Sequence, residues 1–416
     1  MTDILIGINY DREELLDTWT ACRNLYKENN IQLDEIDELA EKYEERKAIE
    51  YYTGTACLSR VVNQVCHTED IRQIFSFRVY MSDLHNLLVS HYIEGEKNGI
   101  RSCIKDVYRG KPLSGSVLQQ LIDNEHGLIS MNGFLSTTID QDVALEFAGY
   151  NQQIDKGYKS TLFLLTIEKE VRRPYAYIGH CSAMQNETEV LFSLGTIWRI
   201  KSVTHTKNPC EIELSSCDDM DPQLTEIREK YMEQGCNFLA LGDISHELGN
   251  DDEAEWFYGK MLEQDSINGI TRGILCYKIG MIQYEKGDLS GALENLIKAT
   301  SLLQPQINES DMIRLPFFEI FNTVGSIHHK NNSFGKAIQY FEKALQEQNE
   351  STSETAKVHD NLGVLYYGRG SYEKAREHLE KSLCLIDESH PHWKEFNSHL
   401  HYAKKRCQHL ANKQKK

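Results

Sequence analysis

The chain has 416 residues, of which 40% are hydrophobic, and a formal net charge of −18. This length exceeds what one ordinary hydrophobic core serves, so we expect two or more domains. The acidic balance argues against nucleic-acid binding, which needs a basic surface. No stretch approaches the roughly 18 apolar residues of a membrane span, and the start shows no secretory signal. Eleven cysteines, an odd number without a C-x-x-C pair, favour reduced thiols and a cytoplasmic protein.

The first half is predicted to change from helices to strands. Apolar residues recur at helical spacing in REELLDTWTACRNLY, DEIDELAEKYEERKAIEYY and FRVYMSDLHNLLVSHY. After Lys105, short runs rich in β-branched and aromatic residues predict strands: DVYRG, GLISMNGFLSTT, STLFLLTIEK, TEVLFSLG and TIWRIKSVTHT. Together they predict an α+β domain, with a helical lobe and a β core, that ends near Leu214. The following SSCDDMDPQ is typical of a linker.

Three of the predicted strands carry polar residues that suit a ligand site. Arg109 lies at the end of DVYRG beside Gly110, which allows close approach to the backbone. Ser136 lies at the end of another strand. Glu187 and Glu189 stand two residues apart, so an extended backbone directs both carboxylates to one face, where they repel each other. Ordinary explanations remain open for each: a surface ion pair for the arginine, a helix cap for the serine and a solvated strand end for the glutamates.

The second half is predicted to be a helical repeat. Four segments align without a gap, each with a glycine followed twelve residues later by an alanine: Gly242 and Ala254, Gly280 and Ala292, Gly325 and Ala337, Gly363 and Ala375. Small residues at these positions allow two antiparallel helices to approach closely. The turns between the helices are predicted at Gly249, Gly287, Asn332 and Gly370. From Trp393 onward, a polar-faced helix is suited to cap such a stack.

This pattern resembles the tetratricopeptide repeat. The resemblance implies an all-α solenoid of four repeats, at about 235–268, 273–306, 318–351 and 356–389. It also implies a concave groove, lined by the first helix of each repeat, that holds a peptide or protein ligand. Asn322 and Asn361 are placed there to bond a peptide backbone. A purely structural stack is the alternative.

The polar strand residues of the first half resemble the R-S-E class of mono-ADP-ribosyltransferases, of the arginine-specific type. The resemblance covers roughly residues 35–215. It rests on Tyr108-Arg109-Gly110, on Gly133 to Thr138 with Ala144 and Phe147 after them, and on Glu187-x-Glu189-Val190-Leu191-Phe192. In the helical lobe, Tyr52-Thr53 and Asn63 also match the family.

The resemblance implies NAD as co-substrate and no metal. The residues that it implies for NAD binding are Tyr108, Arg109, Gly110, Ser136, Thr137 and Glu189. The catalytic residues that it implies are Arg109, Ser136, Glu187 and Glu189. In this reading Arg109 clamps the nucleotide, and Ser136 orients Glu189, which stabilises the positive charge of the ribosyl group. Glu187 receives the acceptor guanidinium and takes its proton, so a glutamate there implies arginine as the acceptor.

The predicted organisation has five parts: an N-terminal helical extension at 1–34, the NAD-dependent ADP-ribosyltransferase domain at 35–215, a linker at 216–230, the four repeats at 231–390, and a capping helix with a basic tail at 391–416. The predicted function is an NAD(P)+–protein-arginine ADP-ribosyltransferase whose repeats recruit a protein acceptor with an exposed arginine. No nucleic acid and no membrane span are expected. Two alternatives are a catalytically inactive tetratricopeptide adaptor and an NAD glycohydrolase.

Overall fold

The computed structural model describes fourteen stretches of the chain: 2–8, 10–54, 56–68, 70–168, 171, 173–179, 181–182, 188–206, 208–217, 231, 237–265, 267–304, 315–347 and 353–414. The chain divides into two units, residues 1–244 and residues 245–416. The division falls inside a helix, Phe238–Glu247, and therefore inside the first predicted repeat. Within the described stretches, no helix combines the length and the apolar character that a membrane crossing requires.

Helices make up the first part of the first unit. Their bounds are α1 (Thr2–Gly7), α2 (Leu15–Leu25), α3 (Asn30–Lys42), α4 (Ala48–Gly54), α5 (Ala56–His67), α6 (Ile71–Ser76), α7 (Arg78–Lys97) and α8 (Ile100–Cys103), with 3-10 turns at Arg12–Glu14 and Glu45–Lys47. The segment predicted as an N-terminal extension contributes to this lobe, because Trp19 and Cys22 lie in its core. The buried guanidinium of Arg78 binds Glu14 at 2.5 Å and Asp17 at 2.8 Å.

The helical run predicted across residues 34–52 is interrupted. Helix α3 ends at Lys42, and Tyr43 adopts an extended conformation with ψ of 126°. Its ring packs edge-on against Trp19, and its hydroxyl donates to Asp83 at 2.9 Å. Burying this aromatic ring outweighs the few tenths of a kcal/mol per residue that roughly separate helix propensities. The local sequence pattern does not contain that tertiary contact.

A mixed sheet forms the second part of the first unit. The strands are β1 (Asp106–Gly110), β2 (Leu113–Ser114), β3 (Leu128–Met131), β4 (Leu135–Thr138), β5 (Tyr158–Lys159), β6 (Thr161–Thr166), β7 (Tyr175–Tyr177), β8 (Glu189–Phe192), β9 (Thr196–Thr204) and β10 (Cys210–Ser216), with helices α9 (Gly115–Asp123) and α10 (Gln141–Phe147) between them. Eight strands form one sheet in the order β3-β9-β10-β6-β1-β4-β8-β7, and β2 pairs with β5. Only β6 and β10 run parallel among the described pairs.

Strand β8 separates two hydrophobic cores. Val190 and Phe192 join the core on one face of the sheet, together with Trp198. Leu191 points to the other face and joins the core of the helical lobe. Since alternate strand residues share a face, Glu189 lies on the lobe side, as Leu191 does. The sheet therefore directs this carboxylate toward the helices.

The second unit consists of helical hairpins, as predicted. After α11 (Phe238–Glu247), which spans the division between the units, the helices are α12 (Asp251–Leu262), α13 (Gly269–Lys286), α14 (Leu289–Leu303), α15 (Phe317–Lys330), α16 (Phe334–Gln346), α17 (Ser353–Gly368), α18 (Tyr372–Cys384) and α19 (Trp393–Gln414). The predicted turn residues all have positive φ, at 77° for Gly249, 86° for Gly287, 55° for Asn332 and 78° for Gly370.

The small residues of the repeats lie where two helices meet. Gly280 of α13 faces Leu296 of α14, and Gly325 of α15 faces Phe341 of α16. Helix α19 packs Leu400 and Ala403 against the preceding hairpin, as a capping helix does. The predicted fold class is confirmed: an α+β unit with a helical lobe and a β core is followed by an all-α repeat array.

Candidate active site

Strand β1 brings Arg109 to the middle of the large sheet, between β6 and β4. Its Nη1 donates to the backbone carbonyl of Ser136 at 2.6 Å, so the side chain is fixed across the strands rather than free at the surface. Burial lowers the pKa of the guanidinium, while Tyr52 and Glu189 oppose that shift. An arginine has five donors, so the contact with Ser136 leaves others for a ligand.

The hydroxyl of Ser136 does not cap the helix that follows it. That role belongs to Asp140, whose carboxylate accepts from the backbone N–H of Asp142 at the start of α10. Ser136 Oγ donates instead to Glu189 Oε1 at 2.7 Å. The Thr137 hydroxyl donates to the backbone carbonyl of Val190 at 2.7 Å, a hydrogen bond that links β4 to β8. The serine is thus available to orient a carboxylate.

The carboxylate of Glu189 is buried, with only 8% of the residue exposed. It lies at the start of β8, directly opposite Thr138 in the neighbouring strand β4. The diagonal position in β4 is Ser136, which explains how its hydroxyl reaches Oε1. A second hydroxyl, that of Ser182, lies 3.5 Å from Oε2. Glu189 is therefore not a solvated strand-end residue.

The other predicted catalytic glutamate, Glu187, lies outside the described residues. The sequence neighbour Met184, in the same segment, does too. The expectation that both carboxylates share one face stays a prediction for this reason.

The helical lobe contributes a second set of polar groups. Asn63 Nδ2 of α5 donates to the Tyr52 hydroxyl at 2.8 Å, and that hydroxyl donates to the carbonyl of Phe134 at 3.5 Å. Burial raises the pKa of Tyr52, so the phenol stays protonated at neutral pH. Gly133 packs closely against this network: a Cβ there would lie 2.7 Å from Asn63 Oδ1 and would displace that side chain. These contacts join the lobe to the turn before β4.

These groups surround one cleft of about 360 Å³, a size within the range of small-molecule sites. It is lined by Tyr52, Thr53, Ser59, Asn63, Tyr108, Arg109, Gly110, Ser136, Thr137, Thr138, Val143, Ala144, Phe147 and Glu189. All six residues predicted to bind NAD are among them. Packing also explains the glycine at position 110. A Cβ there would overlap the backbone carbonyl of Ala144, because β1 and α10 are in direct contact. Phe147 lines the cleft while remaining 63% exposed.

The cleft has a cationic border. Burial lowers the pKa of His67, and the nearby charges of Lys111 and Arg109 lower it further. Burial likewise lowers the pKa of Lys111, and Arg109 adds to the effect. Arg109 contributes to both shifts through its charge, so the cations of Arg109 and Lys111 lie near this imidazole.

Two contributors to the site were not singled out from the sequence. Ser59 lines the cleft, and Ser182 lies beside Glu189. A serine on the polar face of an amphipathic helix, or in a loop, gives no periodic or spacing signal, so only its tertiary placement distinguishes it.

The predicted groove residues of the repeats are half-buried on the first helices of their hairpins. Asn322 lies in α15 and Asn361 in α17. Within the described part of the chain, the Oδ1 atom of Asn322 is buried and accepts no hydrogen bond. Such an atom costs free energy unless a partner reaches it.

One family model and several solved structures are similar to parts of this chain. A family model of the tetratricopeptide repeat matches residues 317–385. The ADP-ribosyltransferase Vis in complex with agmatine is similar at 20% identity and a TM-score of 0.32, over 52% of this chain and 90% of Vis. A second structure of the Vis toxin, an ADP-ribosyltransferase from Vibrio splendidus, is similar at 19% identity and a TM-score of 0.32, over 52% of this chain and 91% of the toxin. BtubC from P. vanneervenii is similar at 21% identity and 0.34, over 41% of this chain and 71% of BtubC. Among curated protein sequences, none matches this chain.

Proposed function

We propose that the first unit is a mono-ADP-ribosyltransferase that moves ADP-ribose from NAD to arginine side chains and releases nicotinamide. One observation carries the proposal: a buried carboxylate, Glu189, accepts a hydrogen bond from Ser136, whose own backbone carbonyl accepts one from Arg109. The three residues belong to three adjacent strands and line one cleft. This linked arrangement supports the R-S-E resemblance on physical grounds.

Cleavage of NAD requires a carboxylate beside the ribose. Breaking the bond between nicotinamide and the ribosyl carbon builds positive charge on the ring, as in glycoside cleavage. Glu189, on the lobe side of the sheet, supplies a negative charge in a buried setting where it acts strongly. Ser136 limits the rotation of this carboxylate and so keeps it pre-oriented.

The nucleotide half of NAD needs positive charge and a stacking surface. Arg109 offers a planar guanidinium that suits pyrophosphate oxygens, and Lys111 adds charge beside it. Phe147 presents an exposed ring at the cleft. We assign NAD binding to these residues together with Tyr108, Gly110 and Thr137 of the strands that line the cleft.

Arginine specificity rests on Glu187, for which we keep the role inferred from the sequence. As nicotinamide leaves with the electron pair of the broken bond, a guanidinium nitrogen attacks the ribosyl carbon. The nitrogen loses one proton, which Glu187 accepts. Without an acceptor, water attacks instead and the same site hydrolyses NAD. The repeat unit, in this proposal, recruits the protein acceptor through its groove.

The direct test is nicotinamide release from NAD by the full chain, with and without agmatine as a free guanidino acceptor. We expect release that rises with agmatine. Glu189→Ala should lower it by at least about 10³-fold, the order that loss of a key electrostatic group costs. Glu213→Ala, an exposed glutamate of β10, is the matched control and should leave the rate unchanged.

The other outcomes separate the alternatives. Nicotinamide release that does not change with agmatine and yields free ADP-ribose indicates an NAD glycohydrolase. No release by a folded chain removes the enzyme proposal and leaves a tetratricopeptide adaptor.

A further inference from the structure

The Glu189 carboxylate lies between two serine hydroxyls, one on each oxygen. Ser136 Oγ is 2.7 Å from Oε1, and Ser182 Oγ is 3.5 Å from Oε2. The first serine belongs to the motif in β4, whereas the second lies in the connection between β7 and β8. Ser182 is 4% exposed, so its hydroxyl and the carboxylate meet away from bulk water.

A tight turn holds Ser182 in this place. Its backbone N–H donates to the carbonyl of Ile178 at 2.7 Å, and the N–H of Cys181 donates to the same carbonyl at 2.9 Å. The N–H of Ile178 in turn donates to the backbone carbonyl of Glu189 at 2.9 Å. The Cys181 sulfur also lies 4.0 Å from Nε2 of His91 in α7. Ser182 is therefore fixed to the backbone of the residue whose side chain it faces.

We propose that Ser182 is a second positioning residue for Glu189: it donates to Oε2, the carboxylate oxygen that Ser136 does not contact. With one hydroxyl on each oxygen, rotation of the carboxylate about its last bond is restrained from both sides. What the carboxylate then does rests on the function proposed above.

The two hydroxyls differ in strength. Hydroxyl-to-oxygen bonds are usually about 2.5–3.0 Å long, so the Ser136 bond has an ordinary length and the Ser182 contact is longer than this range. Ser136 therefore supplies most of the stabilisation, and Ser182 adjusts the orientation. A shift of the carboxylate by a few tenths of an ångström should alter the long Ser182 contact while the Ser136 bond stays in place. Loss of Ser182 should consequently cost less than loss of Ser136.

A carboxylate titration tests the proposal without requiring activity. The chain is labelled with ¹³C at the glutamate side-chain carboxyls, and Glu189→Gln identifies the Glu189 signal. A hydroxyl that donates to the ionised form lowers a carboxyl pKa, so its removal raises that pKa. We expect Ser182→Ala to raise the pKa of Glu189 by about half a pH unit, the effect of one modest hydrogen bond.

Ser193→Ala is the matched control. Ser193 is fully buried next to β8, and its hydroxyl lies 2.7 Å from Nδ1 of His85 rather than from the carboxylate. This variant should leave the pKa of Glu189 unchanged. Ser182→Cys, close in size but a weaker donor, repeats the test where alanine impairs folding. An unchanged Glu189 pKa in both Ser182 variants, or an equal rise in Ser193→Ala, overturns the proposal.

Kinetics give a second readout for an active chain. The acidic limb of the kcat profile should move to higher pH in Ser182→Ala, by the same half unit or so as the titration, with KM for NAD unchanged. A wild-type chain that cleaves no NAD counts against the proposed function, while the titration still decides the role of Ser182.

Discussion

His67 lies one helical turn beyond Asn63 in α5, so the imidazole borders the cleft that Asn63 lines. Burial, Lys111 and Arg109 all lower its pKa. In the proposed complex, the pyrophosphate of NAD offsets the two cations, so binding should raise the pKa of His67 and take up protons. Affinity for NAD should therefore increase as the pH falls through the raised pKa of bound His67 and level off below the lower pKa of the free protein. Calorimetry between pH 8 and pH 5.5 measures this slope.

His67→Ala should flatten that slope, whereas His401→Ala, an exposed histidine of α19, should keep it. An identical slope in the wild type and in His67→Ala contradicts the idea that this imidazole senses the bound phosphates.

The Phe147 ring is exposed to water in the cleft and does not pack in a hydrophobic core. We expect Phe147→Ala to weaken NAD binding about 5- to 100-fold, because stacking of a base on an aromatic ring contributes roughly 1–3 kcal/mol. The melting temperature should hardly move, since the residue is mostly exposed. Leu16→Ala, which is 64% exposed in α2, is the matched control for both measurements. Unchanged NAD affinity in Phe147→Ala would remove the ring from the binding site.

Among individual residues, the sequence predicted those with distinctive neighbours along the chain. Arg109, Ser136 and Glu189 each stand in a strand with a recognisable neighbourhood, and the cleft brings them together. Ser182 has no such neighbourhood: it is a small hydroxyl seven residues before Glu189, in a segment of loop character. Its contact depends on the turn at Ile178 and on strand pairing, which are tertiary facts.

Among the secondary-structure elements, the paired helices of the repeats depend on glycine at the crossing. A Cβ on Gly280 of α13 would stand 2.9 Å from Cγ of Leu296 in α14, closer than real contacts allow. Gly280→Ala should destabilise the second unit by about 1–3 kcal/mol through overpacking, reduced by up to about 1 kcal/mol of better helix propensity. Thermal unfolding should show a melting temperature lower by a few degrees.

Gly259→Ala is the matched control and should stabilise the second unit, whereas Gly280→Ala should destabilise it. Among the described residues, no atom lies within 4 Å of a Cβ at Gly259 in α12, so only the propensity gain of about 1 kcal/mol applies. If both variants melt alike, the tight approach at Gly280 is not what limits the packing of this hairpin.

Most of the elements that sequence patterns predicted have enough residues to show a period, but the seven-residue strand β10 was missed, and its last residues were assigned to the linker. The long runs became β1, β3, β4, β6, β8 and β9. Strands β2, β5 and β7 have two or three residues each, which is too short for any alternation to appear. The strand order was not predictable either, because the parallel pairing of β6 with β10 joins segments about fifty residues apart in the sequence. Only the packed sheet specifies such pairings.

For the whole molecule, the central expectation is that the repeat unit selects the acceptor while the first unit performs the transfer. Asn322 and Asn361 carry half-buried amides on the first helices of two hairpins, and the buried Oδ1 of Asn322 accepts no hydrogen bond from the described residues. The exposed parts of the two amides, which exclude that buried oxygen, can bond a peptide backbone. The double variant Asn322→Ala with Asn361→Ala should therefore lower transfer to protein acceptors about tenfold or more.

Transfer to agmatine should stay at the wild-type rate in the same variant, because a free guanidino acceptor needs no groove. Labelling of lysate proteins with biotinylated NAD, run beside the agmatine assay, measures both quantities on one preparation. Asn295→Ala is the matched control: this half-buried amide of α14 already donates to Gln283 and to the Gly291 carbonyl. Equal loss with both acceptors would mean that the repeats sustain the first unit rather than choose its target. Unchanged labelling of proteins would mean that these two amides do not hold the acceptor.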